Sequence, residues 1–196
     1  MLEYEKKILL SMDEYKAIVR LMGENAPTWK HTNYYFDTDD LAMNRKGITC
    51  RFREKDGNYK ATVKYHDTEN PDCSAEEDLI EVSEFDSKIF DAIGLRYQGM
   101  LITERVVIHK DAFCEMVIDR NIYLGCTDFE LEVEYSKGSE YRAKMLLESV
   151  GGTLVEEKIV ANLNEFMERV GQVQSKSQRF FERKEVGGGQ CAERFK

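Results

Sequence analysis

The charged residues of this chain are sorted by sign at every-second-residue spacing. Glu3, Glu5 and Lys7 share one phase near the N-terminus. Arg51 and Arg53 flank Phe52, and Lys60, Thr62 and Lys64 stand opposite Ala61 and Val63. Glu77 and Glu81 are set against Ile80 and Val82, and Glu115 and Asp119 against Met116 and Ile118. Asp128, Glu130, Glu132 and Glu134 alternate with Phe129, Leu131, Val133 and Tyr135, and Arg105 adds a further cation. In a strand, residues two apart lie on one face, where stacked like charges repel. Such sorting makes sense when something between the faces neutralises both sets. A divalent cation answers clustered carboxylates, and a polyanion answers clustered Arg and Lys. Mg²⁺ or Mn²⁺ takes carboxylate oxygens and keeps positions open for phosphate oxygens. The pattern therefore points to metal and phosphate together.

These residues need a scaffold of strands. Period 2 dominates the chain and predicts strands at 2–9, 31–37, 47–54, 58–66, 77–84, 101–109, 113–119 and 127–135. Lys55-Asp56-Gly57 is a hairpin signal between two of them. Ser11 with Glu14 forms a capping-box pattern for a helix reaching about Met22. Asp86 opens a short helix ending at Gly94, Ser139 opens one that ends at Gly151-Gly152, and Asn162 with Glu165 opens another. The fold class is α+β: about eight mostly antiparallel strands in a large sheet or barrel. If the sheet closes, the apolar residues face outward under the helices and the charges line the inside. Small barrels usually have a packed interior.

The 196 residues fit one domain, expected over 1–185, with a frayed tail at 186–196. A composition of 42% apolar and 33% charged residues suits one soluble core. The net charge of −9 disfavours a nucleic-acid coat. The apolar run Ile8-Leu9-Leu10 is too short for a signal peptide, and no stretch is long enough for a membrane helix. Five cysteines without a C-x-x-C pair favour free thiols in a reducing cytoplasm. His31, His66 and His109 lack ligand spacing and are expected at surfaces or strand ends. Cys50, Tyr34, Tyr35 and Phe36 are expected to pack, as is Trp29 at the mouth of a barrel.

The ordered set of motifs resembles the CYTH domain family, the triphosphate tunnel metalloenzymes, in its bacterial YjbK-like branch. The resemblance is carried by Glu3-x-Glu5-x-Lys7, Thr32-Asn33-Tyr34-Tyr35-Phe36-Asp37-Thr38, Arg51-x-Arg53 and Thr62-Val63-Lys64. It continues through Arg105, Asp119, Glu130-Leu131-Glu132-Val133-Glu134 and Lys176-Ser177-Gln178-Arg179. It implies an eight-stranded antiparallel tunnel, a triphosphate ligand and one or two divalent metals, Mg²⁺ or Mn²⁺. By this resemblance Glu3, Glu5, Glu132 and Glu134 correspond to metal ligands, with Glu130 extending their face. Lys7, Arg51, Arg53, Lys64 and Arg105 correspond to triphosphate-binding residues, with Lys60 a looser match. Either Lys176 or Arg179 closes one end. Glu5, Glu81 and Asp119 are candidate catalytic acids, placing a water or orienting a basic neighbour. The expected activity is metal-dependent triphosphate hydrolysis. An adenylyl cyclase and a non-catalytic polyphosphate- or nucleotide-binding module are the alternatives. The expected partner is a small-molecule triphosphate, with no nucleic acid or membrane, in a cytoplasmic monomer or homodimer.

Overall fold

The computed structural model describes residues 2–67, 69, 70 and 72–187. Eight strands close a barrel, and every pairing is antiparallel. They are β1 (Leu2–Leu10), β2 (Thr28–Asp37), β3 (Ile48–Lys55), β4 (Asn58–His66), β5 (Cys73–Val82), β6 (Arg96–Lys110), β7 (Cys114–Tyr123) and β8 (Cys126–Tyr135). The order around the wall is β1-β5-β4-β3-β2-β6-β7-β8. Six helices accompany them among the described residues: α1 (Met12–Met22), α2 (Ala42–Arg45), α3 (Lys88–Asp91), α4 (Glu140–Glu156), α5 (Leu163–Glu168) and α6 (Lys176–Glu185).

Local chemistry explains the joints. Asp56 (φ +53°) and Gly57 (φ +81°) both adopt left-handed backbone between Lys55 and Asn58, as a two-residue type I′ turn requires. Ser11 and Glu14 form the expected capping box at the start of α1. α4 does not stop at Gly151-Gly152 but runs on to Glu156. A Cβ on Gly151 would lie 2.7 Å from both Leu163 and Phe166, so this glycine makes room for α5 rather than ending α4.

The barrel is inverted, as the alternation predicted. The outward faces of β1, β7 and β8 carry Ile8, Leu10, Ile118, Leu131 and Val133, which pack under α1, α4 and α5. The outward faces of β2, β3 and β4 carry Phe36, Cys50, Phe52 and Ala61, packed against Phe90 of α3 and Leu95. Fully burying one such apolar side chain is worth about 1.5–3 kcal/mol. These clusters hold the wall from outside and leave its inner face to charges. Cys50, Cys73, Cys114 and Cys126 are free thiols, while Cys191 and the tail segment 188–196 lie outside the described residues. No helix among the described residues is long and apolar enough to cross a membrane.

Candidate active site

The inner wall encloses a cavity of about 600 Å³, part of it open to solvent. Six cations and five carboxylates line it. The acids stand mainly on one side. β1 pairs with β8 so that Glu5 faces Glu134 and Lys7 faces Glu132, and Glu3 lies two residues further along β1. The β2–β3 pair places Arg53 opposite Asn33 and Arg51 opposite Tyr35. β4 contributes Lys64 and β6 contributes Arg105.

Helix α6 supplies the sixth cation. Ser175 and Gln178 form its capping box. Lys176 extends from its first turn to Glu132 (2.6 Å), Glu130 (2.9 Å) and Asp119 (3.0 Å). Ser177 meets Thr49 at 2.7 Å. One turn on, Arg179 bonds Asp128 at 3.0 Å and pairs with Glu130. Phe180 and Phe181 are fully buried with Tyr35, Leu101 and Tyr123. All these partners lie on inward faces, so α6 covers one end of the barrel. Lys176 lines the cavity, while Arg179 bonds β8 beside it.

Most charges are matched in pairs. Lys7 pairs with Glu5, Lys64 with Glu3 and Arg51 with Glu76. Arg105 clasps Asp119 by two parallel bonds, Nε to Oδ1 at 2.8 Å and Nη2 to Oδ2 at 2.7 Å. Asp119 is fully buried and behind the lining, where it fixes the Arg105 fork. Glu130 is equally buried, held by Lys176 and Arg179. Burial raises the Glu132 carboxyl, yet Lys176, Arg105 and Lys7 outweigh that and hold it well below the usual range. Glu134 behaves oppositely: burial and the charges of Glu132, Glu5 and Glu3 push its carboxyl up to about 7. Arg53 makes no ion pair among the described residues. Burial and the neighbouring Arg51 pull its pKa down to about 10.

Five expected residues do not line the cavity: Asp119, Glu130 and Arg179 stand behind or beside it, and Lys60 and Glu81 lie away from it. Lys60 is bonded to Asp78 at 2.6 Å with its side chain 44% exposed, and Glu81 is exposed beside it in the ladder. Lys60 and Glu81 face each other near the start of β4 and the end of β5, beyond the part of the wall that lines the cavity. β5 also carries a bulge. The register passes from Ala61↔Ile80 to Thr62↔Asp78, skipping Leu79. Glu77 and Glu81 therefore lie on opposite faces, and Glu76 is the β5 acid that reaches the tunnel. Sequence reasoning missed Glu76 because its strand began at 77. It also missed His31 and His66 as lining residues. His66 does end its strand, but His31 sits in mid-strand at 4% exposure. The inward phase of His31 with Asn33 and Tyr35 was the available signal. The Ser175-x-x-Gln178 box was the missed signal for α6.

The family model described as the CYTH domain matches residues 1–149, which span all eight strands. This chain belongs to the CYTH domain family. Among curated relatives of this CYTH chain is the Bacillus subtilis (strain 168) protein named "Putative triphosphatase YjbK". It is 26% identical over 163 residues, covering 72% of this chain and 81% of that one. A solved structure from Bacillus halodurans, described as a "putative adenylate cyclase", superposes with a TM-score of 0.62 at 25% identity. That match covers 91% of this chain and 97% of the other. HpAC1 from Hippeastrum, described as a "putative adenylyl cyclase" with a dominant triphosphatase activity, superposes at 0.57 with 18% identity. It covers 81% of this chain and 88% of its own, and shares the fold. α6 lies beyond the residues that the CYTH model matches.

Proposed function

We propose that this tunnel hydrolyses a triphosphate, inorganic or attached to a small organic group, with the help of Mg²⁺ or Mn²⁺. The observation that carries the reading is Arg53. A half-buried guanidinium without a carboxylate, set among other cations, is best answered by an anion. Its neighbours Arg51, Lys64, Arg105 and Lys176 surround that position with further donors. Phosphate oxygens accept such contacts in bidentate fashion.

The acidic wall fits a divalent cation. Glu3, Glu5, Glu132 and Glu134 offer only carboxylate oxygens, the donor set of Mg²⁺ and Mn²⁺. Burial and the charges of Glu132, Glu5 and Glu3 push the Glu134 carboxyl up, a repulsion that a cation would relieve. Among the described residues no three His, Cys, Asp or Glu side chains already converge to hold a metal. Glu3 and Glu5 are instead held by Lys64 and Lys7. Those lysines are free to turn to phosphate once a cation takes the carboxylates. Bound there, the ion supplies charge neutralisation and Lewis acidity at phosphate oxygens.

The chain's own residues do the rest. Arg51, Arg53 and Arg105 hold the phosphate chain and meet the charge that develops on its oxygens. Asp119 keeps Arg105 in its fork geometry. Glu5, on the metal-facing wall, orients the attacking water and receives its proton. The names of the Bacillus subtilis and Hippeastrum relatives support the hydrolytic reading. The Bacillus halodurans and Hippeastrum names favour adenylyl cyclisation as a second one. Phosphate release from inorganic tripolyphosphate, ATP and thiamine triphosphate, with cyclic AMP measured alongside, separates them. Orthophosphate release supports hydrolysis. Cyclic AMP without orthophosphate would favour the cyclase.

A further inference from the structure

One corner of the tunnel has hydrogen-bonding capacity left over. His31 lines the cavity from the inward face of β2, and its ring has no partner among the described residues. On β3 beside it, Arg53 donates from Nε to Asn33 Oδ1 at 3.0 Å. That bond fixes the guanidinium plane and leaves its terminal N–H groups without a protein acceptor. Asn33 stands directly opposite Arg53 in the ladder, two residues from His31 on the same face. Diagonal neighbours of this kind are about 7–8 Å apart, within reach of long side chains. Asn33 Nδ2 is itself buried and unpartnered. Adjacent strands thus present several unpartnered donors in one corner. Buried donors without acceptors are costly, and the chemistry that answers them is an anion with several oxygens.

His31 differs in kind from the cations around it. Burial, and then the charges of Arg53, Arg105, Lys176 and Arg51, drive its pKa down to about 2. The ring therefore carries one N–H donor and one acceptor nitrogen at neutral pH. Another cation here would add repulsion to a wall already rich in arginine. A neutral N–H adds a hydrogen bond without it.

We propose that His31 is a substrate-binding residue: its ring N–H donates to the phosphate group that Arg53 holds, and Asn33 positions Arg53 for that contact. The proposal rests on the triphosphate reading above. It adds a binding residue to that site and assigns one phosphate group to the β2–β3 corner.

Calorimetric titration of the full chain with inorganic tripolyphosphate, with and without Mg²⁺, tests both. The wild type is expected to bind. His31→Phe, which keeps a ring but loses the N–H, should bind about 10-fold or more weakly, and His31→Gln should recover most of the loss. His31→Phe binding as tightly as wild type would overturn the proposal. If His31→Phe does not fold, ring-¹⁵N signals of the wild type decide. The His31 N–H signal should move on adding tripolyphosphate, and an unmoved signal overturns the proposal. A wild type that binds no tripolyphosphate under either condition overturns the triphosphate reading itself, and this proposal with it.

Discussion

Arg53 donates its Nε–H to Asn33 Oδ1 at 3.0 Å, while Arg51, two residues earlier on the same strand, is paired with Glu76. The two arginines share a face but not a charge balance. One is neutralised by the protein, and the other makes no ion pair among the described residues. Replacing Arg53 by Met should therefore separate stability from binding. Removing the uncompensated charge should stabilise the ligand-free protein by about 1–2 kcal/mol. Tripolyphosphate binding should weaken by about 1.5–3 kcal/mol, roughly 10–100-fold. Denaturant unfolding and calorimetry on one preparation read both. Arg51→Met should instead destabilise, because it removes the Arg51–Glu76 pair and the Arg51 Nε bond to Thr62.

α6 reaches its post through a glycine. Gly99 (φ +139°) lies where an added Cβ would come within 2.8 Å of the Phe180 ring. Gly99→Ala should cost about 1–3 kcal/mol from overpacking, with backbone strain added. Its larger effect should be on activity, since a displaced α6 withdraws Lys176 from Glu132 and Asp119. Phosphate release by Gly99→Ala at a temperature where the variant is fully folded checks this. Unchanged turnover would detach α6 from the chemistry.

Arg169 ties the C-terminal segment to the start of the barrel. It bonds Glu14 at 2.7 Å and 3.0 Å, with the Glu14 side chain only 4% exposed. Burial raises the Glu14 carboxyl, but the Arg169 bond and the Ser11 N–H outweigh it, and the net shift is downward from 4.5. A carboxyl with a lowered folded pKa stabilises above its unfolded pKa. That stabilisation fades as pH falls through the folded value. Arg169→Ala should cost about 2–3 kcal/mol at pH 7, less than for a fully buried pair because Arg169 is partly solvated. The loss should shrink below about pH 4, and chemical denaturation at pH 7, 5 and 3.5 measures it.

Two tunnel histidines set a second acid limb. Burial first, and nearby cations second, lower His31 to about 2 and His66 to about 4. Both rings stay neutral in the fold, while the unfolded chain protonates them near 6.5. Stability is then complete above 6.5 and falls as pH drops towards about 4, by about 1.4 kcal/mol per pH unit for each ring. A His31→Gln, His66→Gln double variant should flatten that slope between pH 6.5 and 4.5. Equal slopes in the variant and wild type would contradict the assignment.

How much of this was legible in sequence depended on local regularity. β8 was plain because Asp128 to Tyr135 alternate without a break, and Asp56-Gly57 admits few other conformations. β5 was misread because its bulge lies at Leu79, an ordinary residue that carries no bulge signal, and every phase count across it inverts. That single shift put Glu77 and Glu81 on opposite faces, and Glu76 was overlooked because the strand was started one residue late. α6 was read for its charges alone, since it depends on tertiary contacts of Phe180 and Phe181 as much as on its cap. Gly151 carried the signature of a helix stop, but its function is the close approach of Phe166, which only the packed structure shows. His31 was undervalued because an isolated histidine has no spacing to read.

The central claim is most directly tested by the rate of phosphate release from inorganic tripolyphosphate in Mg²⁺, in Mn²⁺ and in EDTA, for wild type and Glu132→Ala. The account predicts release with a divalent ion, none in EDTA, and a loss in Glu132→Ala that added metal only partly restores. Release that persists in EDTA, or full activity in Glu132→Ala, would contradict a metal-assisted triphosphatase in this tunnel.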